Sequence, residues 1–289
     1  MQRATLLCFL LVLFTPVLFA QEAVKRILIV GDSWAASITA ENHDGFPAPD
    51  VFDEVLAENG LGRFQTQGQA TAWGGRKASD WAKPEHLATI KAELEKYPSI
   101  DIVHLIIGGN DFLSQAMKGS LAGKSREERQ LVWDPIIASI RAIVEFCLAV
   151  RPDIRVVIAD YDYLDFELAR QAWKMDFGTA TTAELNTWLK ELGDQKKKLA
   201  EDTDRCEYVD NWGTLQYWFV EPPKSVARHG DPAKGMPAGV SPDGIHPTAE
   251  AHKRLLQNAV DAHYRKWLGT PEGGVASDSQ AKPVASRGG

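Results

Sequence analysis

Ser33, Asn110, Asp243 and His246 are the residues whose types and spacing can do chemistry together. A serine hydroxyl becomes a useful nucleophile only with a base within hydrogen-bond reach. An imidazole base needs a carboxylate to fix its tautomer and to stabilise the imidazolium. The oxyanion formed when the hydroxyl attacks a carbonyl needs preorganised donors. Ser33 follows Gly31 and Asp32 at the end of the apolar run "RILIV", and Asp243 stands three residues before His246 in "SPDGIHPTAEAH". The donors on offer are the Ser33 backbone N–H, the Gly75 backbone N–H in "WGGRKASDW" and the Asn110 side-chain amide in "GGND". Glycine suits the second of these because its N–H can approach a substrate with no side chain in the way. Gly74 is the alternative donor in the same loop.

Each feature has an ordinary reading when taken alone. Ser33 can cap a helix. Gly74 and Gly75 can make a turn. Asn110 can cap or turn, and "DGIHPT" can be a loop that enters a helix capped by Thr248. Only the ordered set of blocks points to nucleophilic catalysis.

The blocks must be positioned by regular elements, and the apolar patterning supplies them. Strands are expected at Arg26–Val30, Arg63–Gln67, "IDIVHLIIGG", "DIRVVIADY" and "CEYVDNW"; the longer runs are nearly continuously apolar, as strands buried on both faces require. Helices are expected at "PDVFDEVLAENG", where Gly60 is a stop, and from about Pro84 through "HLATIKAELEKYP". Three more follow at "DPIIASIRAIVEFCLAV", at "TAELNTWLKELGDQKKKLAED" with Thr182 as cap, and at "TAEAHKRLLQNAVDAHYRKWLG" with Gly269 as stop. Strands alternating with helices imply crossover connections and a parallel sheet between helical layers. In such a sheet chemistry gathers at the carboxyl ends of the strands, where the Ser33, Gly75 and Asn110 loops fall.

The order "GDS", a glycine loop, "GGND" and "DGIHPT" resembles the SGNH (GDSL-type) hydrolase family over about Arg26 to Leu268. In that resemblance Ser33 matches the nucleophile, Gly75 the glycine donor, Asn110 the amide donor, His246 the base and Asp243 the acid. It implies a flavodoxin-like three-layer α/β/α sandwich with a mainly parallel sheet, and hydrolysis of carboxylic esters with no metal or organic cofactor. Two positions depart from the pattern. Trp34 stands after the serine where many members carry leucine or a small residue, so it either packs beneath the nucleophile or narrows the cleft. "QATAWGG" lacks the asparagine that commonly precedes the glycine.

Other readings fit less well. "GDSWA" nearly matches the Gly-x-Ser-x-Gly elbow of α/β-hydrolases, but in that fold several strands precede the elbow and here only one does. A flavin-binding flavodoxin-like protein needs a Ser/Thr-rich phosphate loop after the first strand, which is absent. A catalytically inactive carbohydrate- or lipid-binding relative on the same scaffold would have no use for the complete set of Ser33, Asn110, Asp243 and His246. His104 reads as a core residue in a buried strand, and His252 and His263 as solvent-facing or edge residues of the last helix. The acidic run "DYDYLDFE" follows a strand end, where it could bind a cation or meet substrate, but the ordinary reading is a solvated loop, with no metal assigned. Trp34 and Trp73 flank the site and are the candidate substrate-binding rings, while Trp212, Tyr217, Trp218 and Phe219 lead toward the base.

The chain has 289 residues, 44% hydrophobic and 25% charged, as expected for one globular domain with a sizeable core. Its formal charge of −7 gives no bulk attraction for nucleic acid or anionic lipid. Residues 1–20 combine Arg3, an apolar run from Leu6 to Ala20 containing Pro16, and a small residue before polar "QEAVKR", which resembles a secretory signal peptide. Cleavage is expected after Ala20, with Ala23 the alternative. The hydrolase domain is then 21–269, and 270–289 reads as a disordered tail. The mature protein would be secreted or periplasmic, would keep no stable membrane span, and would be an esterase or acetylesterase acting on short-chain or acetyl esters of a small molecule or carbohydrate. Cys147 and Cys206 are either a disulfide, which export allows, or two buried thiols.

Overall fold

A computed structural model describes residues 23–39, 50–218 and 230–269. The expected signal peptide and C-terminal tail lie outside the described residues. Five strands form one parallel sheet: β1 (Val24–Gly31), β2 (Phe64–Gln67), β3 (Ile102–Ile106), β4 (Arg155–Ala159) and β5 (Cys206–Val209). Their order across the sheet is β2-β1-β3-β4-β5. The chain steps from β1 to one side for β2 and then crosses back to the other side for β3. The sheet therefore has its topological switch point between β1 and β3, where a crevice opens at the carboxyl ends of the strands. Gly31 is in register with Ile106 across that boundary.

The helices are α1 (Ser33–Ala36), α2 (Val51–Glu58), α3 (Ala78–Trp81), α4 (Pro84–Lys96), α5 (Gly109–Ala116) and α6 (Arg126–Val150), followed by α7 (Phe166–Trp173), α8 (Thr182–Glu201), α9 (Thr214–Trp218), α10 (Ala249–Ala259) and α11 (Arg265–Leu268). In one layer α2 and α9 pack on α10; in the other α6 packs on α3, α4 and α8. The stripes that bury these helices are visible in their spacing. Val51, Phe52, Val55 and Leu56 of α2 are buried, as are Leu185, Leu189, Leu192 and Leu199 of α8. Among the described residues no helix is long and apolar enough to cross a membrane.

Several local expectations need correction. Helix α6 begins at Arg126, well before the "DPII" start, because Ser125 and Glu128 form a reciprocal capping box. Pro135 is carried inside it and leaves the Leu131 carbonyl, one turn before it, without a helical N–H; Leu131 is exposed, so water can serve that carbonyl. Helix α8 is capped by Thr181 rather than Thr182, again through a box with Glu184. The last helix is interrupted by a π-turn at Val260–Tyr264 before α11. His252 is buried edge-on against Trp34, not solvent-facing, and burial pushes its imidazole down to about 3. His104 is buried as expected, with Nδ1 2.6 Å from the Tyr264 hydroxyl.

The largest correction concerns "DYDYLDFE". Asp160, Tyr161, Asp162, Tyr163 and Leu164 are all buried. Asp160 Oδ1 meets Lys196 Nζ at 2.8 Å, with the two side chains 1% and 0% exposed. Tyr208 donates its hydroxyl to Asp160 Oδ2 at 2.6 Å, so the buried charges are paired and further satisfied. Asp162 accepts the backbone N–H groups of Tyr163, Gly213 and Leu215 and thereby fastens the loop after β5. Cys147 and Cys206 are buried free thiols, and burial pushes both up to about 12.

Candidate active site

Strand β1 delivers Ser33 to the crevice through a turn that only glycine allows. A Cβ on Gly31 would stand 1.9 Å from the Ile106 carbonyl oxygen, so the two strands can meet this closely only there. Asp32 then caps α1, accepting the Trp34 N–H at Oδ1 (3.0 Å), and Ser33 is the first residue of that helix. Ser33 does begin a helix, but the capping side chain is that of Asp32.

The loop before α10 brings His246 and Asp243. Asp243 Oδ1 accepts the backbone N–H groups of Ile245 (2.9 Å) and His246 (2.7 Å). Asp243 Oδ2 lies 2.7 Å from His246 Nδ1, and His246 Nε2 lies 2.8 Å from Ser33 Oγ. Partial burial would raise the Asp243 carboxyl; the hydrogen bonds from the His246 ring and from the two backbone N–H groups outweigh it and hold the carboxyl well below the usual range. The loop is tied to the residue after Ser33: the Trp34 indole N–H donates to the Ile245 carbonyl at 3.0 Å. Trp34 is buried against Tyr161 and His252 and is not among the residues that line the wide cleft.

The glycine and asparagine blocks converge on the same place. Gly75 has φ +74 and lines a cleft of about 390 Å³ together with Ser33, Asn110 and His246. Gly74 lines it as well. Asn110, in the first turn of α5, gives one amide hydrogen to the Arg76 carbonyl at 3.1 Å. Its neighbour Asp111 accepts the Ala78 N–H at 2.8 Å, which fastens the glycine loop to α5.

The cleft walls differ from expectation. Trp73 is half-buried against Trp81 and His86, with the Arg76 guanidinium 4.4 Å from its ring centroid. It is not among the residues that line the cleft. Trp173 does line it, with Leu113, Met175 and Ile245; it is 51% exposed and stands edge-on to His246 at 5.8 Å between centroids. Nothing in "QAWKMDF" marks it beforehand, because a ring at the end of a short helix has no spacing signature. Trp212 is a core residue packed on Tyr163, and the Trp218 side chain and Phe219 lie outside the described residues.

A second, smaller cavity of about 20 Å³ adjoins Ser33 and Asn110 beneath the cleft, walled by Trp34, Tyr161 and four aliphatic side chains. No motif marks Tyr161 as part of this region. Its hydroxyl donates to Asp32 and accepts the Gly109 N–H, so it reaches the residues just before Ser33 and just before Asn110.

Among solved structures, the chain is similar to the lipase Lip_vut3 from a goat rumen metagenome, at 13% identity and a TM-score of 0.53, over 84% of this chain and 98% of that one. It is also similar to an extracellular lipase from Streptomyces rimosus, at 17% identity and a TM-score of 0.53, over 83% of this chain and 100% of that one. At these identities the likeness is one of fold. A comparison with curated proteins finds no match. The family model for the GDSL-like lipase/acylhydrolase family matches residues 29–254, which run from the end of β1 into α10 and include every block described above. The chain belongs to the GDSL-like lipase/acylhydrolase family.

Proposed function

We propose that this protein is an exported serine esterase that hydrolyses short-chain carboxylic esters through Ser33, His246 and Asp243. The observation that carries the reading is the continuous hydrogen-bonded chain from Asp243 through His246 to Ser33, with spacings of 2.7 and 2.8 Å. Asp243 accepts from Nδ1–H of the imidazole, which leaves Nε2 as the acceptor for the serine proton. Ser33 Oγ attacks the ester carbonyl carbon as Nε2 takes that proton, and the carbonyl π pair moves onto oxygen. The Ser33 N–H, the Gly75 N–H and the second amide hydrogen of Asn110 are the donors for that oxyanion.

Collapse of the tetrahedral intermediate expels the alcohol, which leaves with the proton from His246. A water then gives its proton to His246, attacks the acyl-serine, and releases the carboxylic acid with Ser33 restored. No cofactor enters this sequence. Export rests on the character of residues 1–20.

The test is release of p-nitrophenolate from short-chain p-nitrophenyl esters by the purified protein. Turnover above the uncatalysed rate supports the esterase reading. Binding of a carbohydrate or lipid with no turnover of any ester would replace it with a binding protein on this scaffold.

A further inference from the structure

Two cavities meet at Ser33, and they differ in what they can hold. The tetrahedral carbon made by attack on an ester carries four groups: the serine oxygen, the oxyanion, the leaving oxygen and the acyl chain. The leaving oxygen must face His246 Nε2, which returns the proton to it. His246 lines the wide cleft and takes no part in the small cavity. The small cavity therefore does not house the departing alcohol, and since Gly75 lines the wide cleft and not the small cavity, the three oxyanion donors come together only at the wide cleft, which leaves the acyl chain for the small cavity. It touches Ser33 and Asn110; beside them Asp32 and Gly109 line it, and the rest of its wall is the rings of Trp34 and Tyr161 and the aliphatic side chains of Leu113, Leu164, Leu189 and Ile245. At about 20 Å³ it has room for one group the size of a water or a methyl.

Its walls are also held in place. Leu164 is clamped at both backbone groups by Asn186, which accepts its N–H at 2.8 Å and donates to its carbonyl at 2.9 Å. Tyr161 is held by Asp32 at 2.5 Å and by Gly109 at 2.8 Å, and Trp34 by the Ile245 carbonyl at 3.0 Å. Leu164 and Leu189 are buried in the core behind the cavity. A longer acyl chain would have to overpack this core or displace those hydrogen bonds.

The geometry points to an acetyl ester of a bulky alcohol as the substrate, with the acetyl methyl in the cavity under Ser33 and the alcohol in the wide cleft beside Trp173. This assignment rests on the esterase reading of Ser33 and His246. Trp34 then acts twice, fastening the base loop and walling the acyl pocket.

The experiment compares kcat/KM for p-nitrophenyl acetate, butyrate and octanoate, which share one leaving group, in the purified protein and in Leu189→Ala and Leu164→Ala. The expected result is acetate over butyrate by about tenfold or more, since a methylene at a pocket wall discriminates by about 10–200-fold. Either truncation should then narrow or invert that ratio by opening one wall. The acyl series on the unaltered protein decides the preference even where one truncation fails to fold. Butyrate turned over as well as acetate overturns the acetyl pocket and leaves the esterase reading standing. An acetate preference that neither folded truncation moves also overturns it, because the selectivity then arises elsewhere. Absence of turnover on every ester removes the esterase reading and this assignment with it.

Discussion

Tyr161 donates its hydroxyl hydrogen to Asp32 Oδ2 at 2.5 Å and accepts the Gly109 N–H on the same oxygen at 2.8 Å. Asp32 directly precedes Ser33, and Gly109 directly precedes Asn110. One phenol just past β4 thus spans the switch point between β1 and β3 and spaces Ser33 from Asn110. Behind it, Lys196 Nζ lies 4.5 Å from the ring centroid and pairs with Asp160. The site is held from beneath by a buried polar network.

Tyr161→Phe keeps the ring and removes the oxygen on which both loops converge. The Asp32 carboxyl and the Gly109 N–H each lose a buried partner, at a cost of about 1–3 kcal/mol in urea unfolding. If the hydroxyl also positions Ser33, kcat on p-nitrophenyl acetate drops by about tenfold with KM little changed, because small misplacements of reacting groups are expensive. A purely structural role lowers stability and leaves kcat intact.

Asp32 gives a pH prediction for stability. Burial raises its carboxyl from the ordinary 3.8 to about 6, against the opposing hydrogen bonds from Tyr161 and the Trp34 N–H. Between those values the folded protein keeps a proton that the unfolded chain has already lost, so this group makes stability fall as pH rises through that window. Asp32→Asn cannot titrate. The stability of the variant relative to the unaltered protein should therefore improve between about pH 4 and pH 7 when unfolding is followed at each pH. A constant difference across that range would show that Asp32 does not hold the proton.

Asp243→Asn replaces a carboxylate held ionised well below the usual range by a neutral amide that can fix the wrong imidazole tautomer. The expected outcome is a fall in kcat of about 10²–10⁴ with the fold retained. In the unaltered protein Asp243 stays charged across the acid-to-neutral range. A folded Asp243→Asn protein with unaltered kcat would remove Asp243 from the role of orienting acid.

Much of this arrangement is legible in the sequence, and the parts that are not share a cause. Ser33, Gly75, Asn110, Asp243 and His246 each sit in a short block whose neighbours along the chain dictate the local turn. The alternation of strands and helices then places those blocks at one end of a sheet. Tyr161 and the acids beside it are hidden because "DYDYLDFE" looks solvated until Lys196, Tyr208 and the loop after β5 arrive from elsewhere in the chain to satisfy it. His252 is obscure for the same reason: its burial depends on Trp34, far away in sequence. Trp73 and Trp173 exchange places in the expected cleft because nearness to a motif in sequence does not say which side of a loop a ring faces. The start of α6 and the cap of α8 shift because capping boxes, which pair residues three apart, outrank the first apolar residue as a boundary signal.

The most direct measurement of the central claim is hydrolysis of p-nitrophenyl acetate by Ser33→Ala, with folding checked by circular dichroism. With Ser33 as the nucleophile, kcat should fall by about 10⁴-fold or more, to the residual level that binding and oxyanion donors alone can supply. A folded Ser33→Ala protein that hydrolyses the ester at the unaltered rate would contradict that role.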